Sequence, residues 1–135
     1  MCDMGSSSLH VSQHIDRSVA VVYQFASDPA RLPDWAAGLG GAVENVNGQW
    51  VIPSPEGRMV IEFVPANDYG VLDHSVTLPT GESVYNPMRV IADGDGCEVV
   101  FTLRRQSSVS DEDFDKDARA VAADLASLKR LMEVK

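Results

Sequence analysis

Between residues 42 and 105 the chain is cut into short alternating segments by turn signals. These are Asn47-Gly48, Pro55-Glu56-Gly57, Asn67-Asp68-Tyr69-Gly70, Pro79-Thr80-Gly81 and Asp93-Gly94-Asp95-Gly96. Such punctuation fits strands joined by tight hairpins and little else. It predicts six strands near 42–46, 49–53, 58–65, 70–78, 83–92 and 97–105. A one-residue slip in any hairpin would turn that strand's apolar set to the opposite face. The faces therefore test the registers.

The Asn47-Gly48 turn sets Asn45 opposite Trp50. The next loop sets Trp50 opposite Ile61 and Ile52 opposite Met59. A four-residue loop at 66–69 sets Phe63 opposite Leu72 and Ile61 opposite His74. A three-residue loop at 79–81 sets His74 opposite Asn86 and Leu72 opposite Met88. The last loop sets Met88 opposite Phe101 and Asn86 opposite Leu103. One face then carries Trp50, Ile52, Met59, Ile61, Phe63, Leu72, Val76, Val84, Met88, Val90, Val99, Phe101 and Leu103. The other carries Arg58, Glu62, Asp73, Thr77, Arg89, Glu98 and Arg104. One side of the sheet faces a core and the other faces water. Pro87 cannot donate to a ladder, so a bulge or local gap is expected there.

Upstream, Leu9, Val11 and Ile15 alternate as a first strand over 9–15, which brings the expected strands to seven. Residues 18–27, with Val19, Val22, Phe25 and Ala26, read as a short helix stopped by Asp28-Pro29. Residues 30–38, with Leu32, Pro33 and Trp35, read as a second. Residues 110–133 are the clearest helix. Ser110 and Asp113 match a capping box, and the charges of the first and last turns suit the helix dipole. Phe114, Ala118, Val121, Leu125, Leu128 and Met132 form one apolar stripe. This helix is the only apolar element left to cover the inner face, which makes the fold class α+β. Residues 1–8 read as a flexible leader, with neither a basic nor an apolar signal region. Residues 9–135 read as a single domain.

Composition excludes several function classes. The formal net charge of −9 and the scattered Lys and Arg argue against nucleic acid and anionic membrane surfaces. No apolar run reaches 18 residues, so no membrane insertion is expected. Cys2 and Cys97 are poorly placed for a disulfide, which suits a reducing cytoplasm, with Cys97 as a small core residue.

No G-x-S-x-G, H-E-x-x-H or P-loop occurs. Gly38-Leu39-Gly40-Gly41 lacks the third glycine and the following helix of a dinucleotide loop. His10 and His14 lie about 13 Å apart on a strand, too far to share an ion. Neither a metal nor a cofactor is expected. The acidic run Asp111, Glu112, Asp113, Asp115 and Asp117 reads as a solvated helix start. Trp35 reads as a plug packing on the helices. Tyr85 falls on the outer face.

His74 and Asn86 are the polar pair on the inner face. Directly opposed residues have Cβ atoms about 5 Å apart, so Asn86 is placed to fix the tautomer of a buried imidazole. His74 is thus the candidate for meeting a ligand's carbonyl or hydroxyl, and for general acid or base catalysis. The plainer alternative is a hydrogen-bonded core pair. Outer-face Val60, Val64 and Val100, taken as exposed, admit a homodimer through sheet packing.

The stretch Ile15, Val22-Tyr23, Phe25, Ser27-Asp28-Pro29, Leu32-Pro33 and Trp35 resembles the opening of the SRPBCC or START-like superfamily. That group includes polyketide cyclase/dehydratase-like and lipid-transfer proteins, and the meander and closing helix resemble its remainder. The resemblance implies a helix-grip fold: a seven-stranded curved antiparallel sheet around the long C-terminal helix, closed by the first strand. It also implies a cavity between sheet and helix that binds an apolar, aromatic or lipid-like molecule. It carries over no catalytic residue. Candidate ligand contacts are Trp50, Ile61, Phe63, His74, Asn86, Met88, Phe101, Leu103 and Leu125. Three readings follow: a binding protein, a cyclase- or dehydratase-type enzyme using His74, or an interaction module with a vestigial cavity.

Overall fold

The computed structural model describes residues 8–36, 43–54, 57–105 and 109–134. All but the last residue of the expected leader, and Gly38-Leu39-Gly40-Gly41, lie outside them. The strands are β1 (Ser8–Ile15), β2 (Glu44–Val46), β3 (Gln49–Ser54), β4 (Gly57–Phe63), β5 (His74–Thr77), β6 (Ser83–Asn86), β7 (Met88–Asp93) and β8 (Gly96–Arg104). The helices are α1 (Val19–Ala26), α2 (Leu32–Trp35), which follows a 3-10 turn at Pro29–Arg31, and α3 (Asp111–Glu133).

Pro87 sets the strand count. The expected strand 83–92 is cut at that residue into β6 and β7. Hydrogen-bonded strands then run β1-β8-β7 on one side of the break and β2-β3-β4-β5-β6 on the other. Backbone bonds from residues 70–72 stitch the two together: Leu72 N donates to Met88 O at 2.8 Å and Val90 N to Gly70 O at 2.9 Å. Gly70 has φ +73, and a Cβ there would lie 2.3 Å from the Val90 carbonyl oxygen. No larger residue fits so close an approach.

Most registers are as expected. Asn45 faces Trp50, Trp50 faces Ile61 and Ile52 faces Met59. His74 faces Asn86, and Met88 faces Phe101. The β4–β5 pairing is not as expected: Phe63 faces His74 and Ile61 faces Val76. The connection is longer than four residues because Asn67 builds its own loop. Its Oδ1 accepts from Tyr69 N (2.9 Å) and Val71 N (3.1 Å), and its Nδ2 donates to Pro65 O (3.1 Å) and Val71 O (3.0 Å). The slip is two residues, so every side chain keeps its face. The expected Asn86–Leu103 pair also fails. The β7–β8 ladder stops at Met88 and Phe101, and Leu103 faces Leu9 of β1 instead.

The inner face is buried or half-buried throughout. On the outer face Arg58, Glu62, Arg89 and Arg104 are exposed. Thr77 and Glu98 are half-buried, and Asp73 is buried, only 5% exposed. Pro87 again explains it. The break frees the Met88 N–H, and Asp73 Oδ1 accepts it at 2.8 Å. Tyr85 Oη donates to the same carboxylate at 2.7 Å, and Arg89 donates through Nε and Nη2 at 3.2 Å each. Burial pushes the Asp73 carboxyl up, but the Arg89, Met88 and Tyr85 bonds and the Arg89 charge outweigh it. They hold it below the usual carboxylate range. Val60, Val64 and Val100 are half-buried, not exposed, so they offer less apolar surface for a homodimer than expected.

α3 lies across the inner face. Ser110 Oγ caps it by accepting from Asp113 N at 3.1 Å. Burial deepens along its stripe: Phe114, Ala118 and Val121 are half-buried, whereas Leu125, Leu128 and Met132 are buried. Its C-terminal end is tied to the β1–α1 corner. Arg17 donates to Met132 O, Asp16 N to Glu133 Oε2 at 2.8 Å, and Lys129 Nζ to His14 O at 3.2 Å. Beneath that end Ile15, Val22, Ala26, Cys97, Val99 and Leu128 are fully buried.

Candidate functional site

Where α3 is less deeply buried, a cavity of about 220 Å³ opens between helix and sheet. Ile61, Phe63, His74, Val76, Asn86 and Phe101 form its sheet wall. Asp117, Ala120, Val121, Asp124 and Leu125 form its α3 wall, and Leu32, Trp35 and Ala36 of the α2 segment close one side. The α3 residues recur every three or four positions, so one helix face turns to the space.

His74 is the sheet wall's ionisable group. It is 8% exposed, and its ring lies 4.9 Å from that of Phe63 and 5.9 Å from that of Phe101. The two-residue slip in β4–β5 makes the Phe63 contact. Nδ1 lies 3.0 Å from the Leu72 carbonyl oxygen. A carbonyl only accepts, so Nδ1 carries the proton and Nε2 of the neutral ring is an acceptor. Leu72, not the expected Asn86, therefore fixes the tautomer. Burial pushes the His74 pKa below its ordinary value, against the opposing pull of the Leu72 bond and the Asp73 charge. At neutral pH the imidazole is uncharged and presents one lone pair.

Trp35 is a further polar group beside His74 and Asn86, and its reading as a plug is only half right. It is 6% exposed and lines the cavity. Its buried Nε1–H has no hydrogen-bond partner among the described residues. A buried donor left without a partner typically costs about 1–3 kcal/mol. Asp117 and Asp124 add two carboxylates on the α3 wall.

Of the expected contacts, Ile61, Phe63, His74, Asn86, Phe101 and Leu125 meet at this cavity; Trp50, Met88 and Leu103 do not line it. Trp50 belongs to a separate depression with Pro29, Gln49 and Glu62. Met88, 1% exposed, is packed into the core, and Leu103 pairs with Leu9 of β1, beyond the end of the β7–β8 ladder. Leu32, Trp35 and Ala36 were legible as one helix face by their spacing. Asp117, Ala120 and Asp124 flank the apolar stripe of α3, so a wider stripe would have taken them in.

No group of three or more His, Cys, Asp or Glu suited to a metal ion occurs among the described residues. His10 Nδ1 instead pairs with Thr102 Oγ1 at 2.9 Å, and His14 Nδ1 lies 3.4 Å from Asp93 Oδ2. No described helix is long and apolar enough to cross a membrane.

Residues 6–133 match the family described as polyketide cyclase/dehydrase and lipid transport. No curated protein matches the chain in sequence. Among solved structures, an uncharacterised protein from Bacillus thuringiensis is similar with TM-score 0.72 and 17% identity, over 93% of this chain and 98% of that one. Truncated norcoclaurine synthase from Thalictrum flavum aligns over 100% of both chains with TM-score 0.63 and 14% identity. Ara h 8.0201 aligns over 95% of this chain and 98% of that one, with TM-score 0.68 and 10% identity. At these identities the likeness is one of fold: the helix-grip arrangement of a curved antiparallel sheet around a long C-terminal helix.

Proposed function

The chain belongs to the polyketide cyclase/dehydrase and lipid transport family, and from that premise we propose that it binds a small apolar or aromatic molecule between sheet and α3. The observation that carries this reading is the cavity of about 220 Å³, apolar apart from a few convergent polar side chains. That is the usual form of a small-molecule site. The buried free thiol of Cys97 fits a reducing cytoplasm. Native mass spectrometry of the protein purified from cells, followed by denaturing extraction, tests the reading. A co-purifying small apolar compound is expected. An empty protein that also shows no thermal shift with aromatic and acyl compounds contradicts it and favours an interaction module.

Catalysis is a second reading, favoured by one observation. Asp117 and Asp124 line the same cavity as His74, giving an uncharged base and two carboxylates around one space. In a cyclase- or dehydratase-type reaction His74 would take or return the proton. Turnover of a substrate that is unchanged in His74→Ala would remove His74 from that role.

A further inference from the structure

Resting on the binding reading, we infer that Trp35 and His74 act as a two-point polarity filter. It selects neutral ligands of one or two rings that carry both a hydrogen-bond acceptor and a hydroxyl. Size comes first. An apolar cavity of roughly 150 Å³ takes one benzene, so about 220 Å³ suits a compound of one or two rings.

Polarity comes second. Trp35 Nε1 is a donor only, buried and without a partner among the described residues. His74 Nε2 is an acceptor only, because the Leu72 carbonyl holds the proton on Nδ1. The two come from different walls of one cavity. The pair is matched by a ligand whose carbonyl or ether oxygen meets the indole and whose hydroxyl meets the imidazole. Trp35 Nε1 is covered in this structure, so the first contact takes a turn of the indole ring. Charge comes third. Among the described residues the lining holds Asp117 and Asp124 but neither Lys nor Arg, so a carboxylate ligand finds no counter-charge there.

Calorimetric titration of the wild-type protein with tetralin, tetralone, tetrahydronaphthol, hydroxytetralone and tetrahydronaphthoate separates these effects on one skeleton. Affinity is expected to rise about five- to tenfold for each polar group added, with hydroxytetralone tightest and the carboxylate weakest. The chain has two tryptophans, hence two indole N–H resonances. The Trp35 resonance should move downfield with tetralone and stay with tetralin. In Trp35→Phe, tetralone should lose its advantage over tetralin. In His74→Phe, tetrahydronaphthol should lose its own. If tetralin binds as tightly as hydroxytetralone, or the carboxylate binds tightest, the filter is wrong while binding itself stands. If no compound binds, the filter is wrong, and the compound extracted from the purified protein decides whether the binding reading fails with it.

Discussion

The two halves of α3 cover the same sheet with opposite results. Around Leu128 the helix is tied down by Arg17, Asp16 and Lys129, and Ile15, Val22, Cys97 and Val99 are fully buried. Around Val121 the stripe holds smaller side chains, and Phe63, Phe101 and Val121 stay half-buried around a cavity. One helix thus supplies stability at its C-terminal half and an opening at its N-terminal half. A small domain has only a few kcal/mol to spare, so it can keep an apolar hollow only where another region is close-packed.

Truncation should separate the two halves most sharply. Leu128→Ala should cost about 2–5 kcal/mol in urea unfolding, and Val121→Ala about 1 kcal/mol or less. Equal costs would break the comparison. Next in size is the seam between the halves. Asp73→Ala leaves the buried Met88 N–H without its acceptor and removes the partner of Arg89, a loss of about 1–3 kcal/mol by the same measurement.

Acid should act on the two buried ionisable groups in separate windows. Folding makes His74 harder to protonate than its ordinary 6.5. The unfolded chain therefore takes up more protons below that pH, and stability is full above it and declines as pH falls. Asp73 is held below its ordinary 3.8, so its contribution is present above that value and lost as pH falls through its folded-state pKa. In His74→Gln the denaturation midpoint should lose the upper slope and keep the lower one. The smallest effect on stability should come from Val121→Phe, within about 1 kcal/mol of wild type, because the added ring has space to fill. The same change should weaken binding of a bicyclic probe at least tenfold.

The faces of the sheet were legible in the sequence because strand period and turn chemistry check each other. Asn47-Gly48, with φ of +55 and +88, makes the primed turn such a pair favours. Pro87 announced the gap between β6 and β7, but not its consequence, that an outer-face aspartate is buried to satisfy the freed N–H. The β4–β5 register was not legible, since it depends on one side chain, Asn67, bonding four backbone groups around itself. His74 was found because polar residues are rare on an apolar face. Trp35 was undervalued because nothing in a local pattern says whether a tryptophan near a short helix seals a core or borders a cavity. That depends on how far α3 stands off the sheet.

The most direct test of the division between a solid half and a hollow half is a methyl-resolved NMR titration with tetralin. Saturable shifts are expected at Val76, Ala120, Val121 and Leu125, with Ile15, Val22 and Leu128 unmoved. Shifts that do not saturate, or that fall equally on both groups, would contradict it.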